Sequence, residues 1–175
     1  AMIAAAFFAD SAASIVTAGL HEIPKDSRLA AAVRATQSWC QEELACGAPD
    51  WEQVWTKINE HYVHYHGVHT INNAALVVLG VYFGFNDFEQ GIVATTLAGW
   101  DTDCNAATVG SILGVKLGAQ ALPKKWTGVL NDQLVSAVRG ENHNKLSDLA
   151  ERTTAIAETL WSTADEEPTA TLSGD

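Results

Sequence analysis

The sequence predicts an all-α protein, and three observations point there. Apolar residues recur every three to four positions along most of the chain. Side chains able to cap helices stand before these runs, and Gly or Pro breaks follow them. No alternating apolar–polar segment is bounded by hairpin turns, and no repeat of fixed period appears. Short connections between the runs fit a compact multi-helix bundle.

The opening Ala1-Met2-Ile3-Ala4-Ala5-Ala6 is apolar and helix-forming, so residues 2–9 read as a helix without an N-cap. Ser11 caps a short helix that should stop at Gly19. Pro24, Asp26 and Ser27 start a longer one, whose buried positions are Leu29, Val33, Thr36, Trp39 and Cys40. Gly47-Ala48-Pro49 breaks it, and Asp50 with Gln53 forms the next cap. Trp51, Val54, Trp55 and Ile58 give that helix a core stripe. A histidine-rich stretch, His61 to His69, leads into an apolar run over 71–83. Asp87 with Gln90 opens a helix to Leu97, stopped by Gly99. The segment 103–119 is helical and rich in small residues, which would let a neighbour approach closely. Weaker helices are expected over 131–138 and 148–161. Residues 164–175 are acidic and expected to be a disordered tail.

Composition excludes several classes. Twenty-one Asp plus Glu face ten Lys plus Arg, a formal net charge of −11. A nucleic-acid binder would show a basic patch, and anionic lipid would be repelled. No apolar run approaches the roughly 20 residues of a membrane span. Three cysteines without a CxxC pair suggest neither a disulfide framework nor a zinc ribbon. That sparse cysteine set fits a reducing cytoplasm best.

The chemistry concentrates in Ala98-Gly99-Trp100-Asp101-Thr102-Asp103-Cys104-Asn105. Two carboxylates lie between a glycine stop and a helix start. Carboxylate oxygens are hard ligands suited to Mg²⁺ or Mn²⁺. A helix N-terminus favours negative charge and would also welcome a phosphate. The same residues fit a plain helix N-cap, so spacing leaves both readings open. A calcium loop fits worse, because Ala106 stands where that loop needs Gly.

The run Gly99-Trp100-Asp101-Thr102-Asp103-Cys104-Asn105-Ala106-Ala107-Thr108-Val109-Gly110-Ser111-Ile112-Leu113-Gly114 resembles the C-terminal signature of the ADP-ribosylglycohydrolase family. His69-Thr70-Ile71-Asn72-Asn73-Ala74-Ala75-Leu76 and the opening residues resemble one bacterial branch, and the similarity spans about 1–140. The resemblance implies an all-α fold and metal-assisted hydrolysis of the glycosidic bond between ADP-ribose, or a related riboside, and a protein side chain or small acceptor. It implies two divalent ions, Mg²⁺ or Mn²⁺, with Asp101, Asp103 and the residue at Cys104 as ligands. The family usually has Thr or Ser where this chain has Cys104, and a thiol is a poor ligand for Mg²⁺. The family's other ligands come from a Thr/Ser-Asp-Asp motif near its N-terminus, which this sequence lacks. Together with the uncapped opening, this leads to the expectation that residues 1–163 are the C-terminal part of the domain. The general base and the remaining ligands would then belong to a missing N-terminal portion.

Other candidates carry two readings each. His69, Asn72 and Asn73 could line the ligand pocket, or could hydrogen-bond loop backbone. Gly99 would let a ligand approach the backbone. Trp100 could stack on a base or fill the core. His61, His64 and His66 read as a mixture of packed and surface rings rather than a metal cluster. Three functions compete: the hydrolase, a non-catalytic helical module that binds an ADP-ribose-like nucleotide, and a structural helical domain that binds no divalent metal.

Overall fold

The apolar run after the histidines forms one helix, α5 (Thr70–Gly84), and nearly every side chain from Ile71 to Gly84 is buried. A helix apolar on all sides must be enclosed by others. The computed structural model, which describes residues 1–164, shows that enclosure. Helices α2 (Ala12–His21), α3 (Arg28–Leu44), α4 (Trp51–Tyr62), α6 (Phe88–Leu97) and α7 (Thr102–Leu117) all pack on α5, and α1 (Met2–Ala6) packs on α2 and α7. These helices form a first unit, Ala1–Pro123; a second begins at Lys124. The all-α expectation holds. Among the described residues no helix is long and apolar enough to cross a membrane.

The start signals work as their chemistry requires. Ser11, Ser27, Asp50 and Asp87 accept backbone N–H bonds from Ser14, Ala30, Glu52 and Gln90, each cap being worth about 1 kcal/mol. Helix α1 ends at Ala6, short of the expected residue 9, and leaves Phe7 and Phe8 exposed. Helix α2 passes through Gly19 to His21 instead of stopping there. A Cβ at Gly19 would meet the Met2 side chain at 2.8 Å, so this residue makes room for α1.

The small residues of α7 serve contact less than expected. Ala107 and Ser111 are exposed, and a Cβ on Gly114 would meet nothing. Close approach comes instead from α5 and α6, where a Cβ on Gly91 would lie 2.7 Å from Gly84 Cα and 2.9 Å from the Gly80 carbonyl oxygen.

In the second unit the helix expected over 131–138 is absent. After α8 (Lys124–Thr127) and a 3₁₀ turn, Gly128–Leu130, both Asn131 (φ 49°) and Asp132 (φ 56°) are left-handed. Two such residues stop a right-handed helix. A short antiparallel hairpin follows, β1 (Gln133–Val135) with β2 (His143–Lys145). The hairpin returns the chain so that Asp132 caps a different helix, α9 (Leu146–Ala164). Its carboxylate accepts from Ser147 N at 2.9 Å and Ser147 Oγ at 2.6 Å. These bonds hold the Asp132 carboxyl below its usual range. Arg152 on α9 then clasps Glu141 with two bonds, 3.0 and 3.1 Å. Residues 165–175 of the expected tail lie outside the described residues.

Gly91→Ala should destabilise the first unit by about 2 kcal/mol, because the added carbon meets backbone that cannot yield. Urea unfolding of the two proteins under the same conditions measures the difference.

Candidate metal centre

The site is built where α6 ends and α7 begins. Trp55 on α4 donates its indole N–H to the Ala98 carbonyl at 2.9 Å, fixing the last residue of α6's cap. The chain then reverses through Gly99 (φ 86°) and Trp100 (φ 53°). Left-handed backbone is free for glycine but costs a side-chain residue about 1–2 kcal/mol. A Cβ at Gly99 would meet nothing within 4 Å, so its backbone faces open space. The Trp100 side chain is half-buried and packs against the core.

Asp101 occupies the N-cap position of α7, and its carbonyl accepts the first helical bond, from Asn105 N at 2.9 Å. Unlike the four caps above, its side chain caps nothing. The Cys104 thiol lies beside its carboxylate. Possible ligand atoms of Asp101, Asp103 and Cys104 all lie within 4.8 Å of one another, with Asp101 half-buried and the other two exposed. Two atoms bound to one Mg²⁺ at about 2.1 Å can be at most about 4.2 Å apart. The carboxylates have the donor chemistry that could hold a hard divalent cation. The thiol suits it less: the hydrogen bond to Asp101 and the charges of Asp101 and Asp103 raise its pKa, keeping it protonated.

The residues of the α5 N-terminus hold this turn from below. His69 caps α5 by accepting Ile71 N at Nδ1, 3.1 Å, and its ring stacks on Tyr65 with centroids 4.3 Å apart. Asn72 is fully buried and donates to the His66 carbonyl at 3.3 Å, while its Oδ1 has no hydrogen-bond partner. Asn73 donates to the carbonyls of Gly67 (2.8 Å) and His69 (2.9 Å). Its Oδ1 accepts from Asp101 N (3.1 Å) and Asn105 Nδ2 (2.7 Å). The amide groups of Asn72 and Asn73 thus bind loop backbone, and Asn73 reaches the carboxylate turn.

The His61 ring packs at a tilt against Trp39, and His64 against Tyr65. Among the described residues no histidine joins a group able to hold a metal. A cleft lined by Met2, Val16, Leu20, Leu29, Val33 and Val77 is almost wholly apolar and contains none of the site residues. Two supports escaped the sequence reading. The α4 periodicity reports Trp55 only as a core-stripe residue, and the motif gives Asn105 no role. The one available signal for Asn105 was its place four residues after Asp101, on the helix face shared with Val109 and Ile112.

Because Asp101 suppresses Cys104 ionisation, Asp101→Asn should expose more thiolate at a fixed pH. Alkylation of Cys104 at pH 8 should then run severalfold faster than in the parent, as read by mass spectrometry of the labelled peptide.

No curated protein and no solved structure matches the chain significantly. A family model does: that of the ADP-ribosylglycohydrolases covers residues 1–165. That span includes the whole α5–α7 core and the carboxylate turn, so the chain belongs to the ADP-ribosylglycohydrolase family.

Proposed function

We propose that this protein is a Mg²⁺- or Mn²⁺-dependent hydrolase of the N- or O-glycosidic bond joining ADP-ribose, or a related riboside, to a protein side chain or small acceptor. Family membership supports the reaction in general terms. The observation that carries the cation reading is Asp101: an N-cap residue whose carboxylate is left uncapped and gathered with Asp103.

Asp101 and Asp103 are the residues that would hold the cation. Their charge sits at the N-terminal end of α7, where the helix dipole favours negative charge. Cys104 lies beside the two carboxylates. It stands where the family usually has a hydroxyl ligand, and direct contact with the metal would need the thiolate that Asp101 and Asp103 suppress. Two or three donors do not complete the six that Mg²⁺ prefers. In this reading the two-ion site is completed by water, substrate and a Thr/Ser-Asp-Asp element, a motif this sequence lacks.

When bound, the ions supply Lewis-acid polarisation and lower the pKa of an attacking water. The protein's share is placement. Gly99 offers open backbone beside the carboxylates, Trp100 walls one side of the turn, and His69, Asn72 and Asn73 form the neighbouring helix start. No general base is assigned among these residues. The free cysteines, Cys40, Cys46 and Cys104, fit a cytoplasmic setting.

Calorimetric titration with Mn²⁺ tests the reading on the full protein. Asp101→Ala and Asp103→Ala should each weaken binding by at least tenfold, with loss of release of ADP-ribose from ADP-ribosyl-arginine, ADP-ribosyl-serine or simple ribosides. Equal Mn²⁺ binding by all three proteins would sink the proposal.

A further inference from the structure

We infer that Asn73 and Asn105 are positioning residues that set the orientation of Asp101 for cation binding; the inference rests on the reading of Asp101 as a ligand. The argument starts from a hydrogen-bond account. A carboxamide offers two donors and an acceptor oxygen with two lone pairs, and Asn73 uses all of them. Its nitrogen faces the Gly67 and His69 carbonyls. Its oxygen faces the Asp101 amide and the Asn105 carboxamide. Flipping the amide would set two donors against its nitrogen and two carbonyls against its oxygen, so only one orientation is compatible with the surroundings. Asn73 is 8% exposed and Asn105 3%, and water cannot readily substitute for a lost partner there.

Asp101 is pinned through its backbone at both ends. Its N–H goes to Asn73, its C=O receives Asn105 N, and Asn105 Nδ2 joins Asn73 Oδ1 to close a ring of hydrogen bonds. Its side chain has no cap bond to hold it. The backbone position and tilt from which the carboxylate projects are therefore set by the two asparagines. Neither asparagine has an atom assigned to the cation; they act through Asp101.

Asn105→Asp separates this role from plain electrostatics by sign. An added negative charge one turn from a cation site should tighten binding if charge alone matters. It also replaces the donor to Asn73 Oδ1 by a repelling oxygen, which should turn Asn73 and release Asp101 N–H. The expected result is at least tenfold weaker Mn²⁺ binding by Asn105→Asp, and about threefold weaker binding by Asn105→Ala. Combining Asn73→Ala with Asn105→Ala should cost no more than Asn73→Ala alone, because the second residue acts through the first. Thermal unfolding checks that each variant is folded. Should Asn105→Asp fail to fold, Asn105→Ala carries the test through a metal-free reading, in which hydrogen exchange of the Asp101 amide should quicken at least tenfold. Unchanged exchange overturns the inference. So does Mn²⁺ binding by Asn105→Asp as tight as the parent's while Asp101→Ala has lost it. If Asp101→Ala itself binds like the parent, the failure lies in the cation reading beneath.

Discussion

The first unit depends on one constraint: α5 has no polar face. A helix apolar all round leaves water only by being surrounded, and the packing of five other helices follows from that requirement. Each buried Leu, Ile or Val contributes roughly 1.5–3 kcal/mol, and α5 brings Ile71, Leu76, Val78, Leu79 and Val81. Its glycines and Gly91 then let α6 close against α5 at backbone distance. The carboxylate turn is the connection leaving α6, so its position is set by how closely α6 can approach.

Burial of α5 raises a second problem at its start. A helix N-terminus carries unpaired N–H groups, and the loop before it carries carbonyls that the core would strand. His69 answers the first, and Asn72 and Asn73 the second. Polar residues at the end of an apolar helix are thus part of the packing solution. Asn73 has an oxygen left over, and the fold directs it to the Asp101 turn. Structural support and site construction share one side chain.

Much of this was legible in the sequence because it is local. Capping at Ser11, Ser27, Asp50 and Asp87 needs only a few neighbouring residues, and the α5 run is visible as composition. The Asp101–Cys104 cluster was legible as a motif. What stayed hidden was non-local or depended on backbone hand. Asn73 meets Asp101 across 28 positions and Trp55 meets Ala98 across 43, separations that no periodicity reports. Asn131 and Asp132 look like an ordinary helix start, but their left-handed backbone turns the chain into a hairpin and lends Asp132 to α9. Gly19 reads as a stop until the Met2 side chain is seen against it.

The left-handed pair Gly99-Trp100 has a consequence of its own. Trp100 holds a conformation that an isolated chain would abandon, and it is kept there by two clamps, Trp55 on one side and Asn73 on the other. Both clamps stand on helices that pack against each other. The turn therefore depends on the packing of α4 against α5, and so does the register of the two acids. A partly folded chain would carry the same residues without their arrangement, and the geometry of the carboxylates acts as a certificate that the core beneath them is complete.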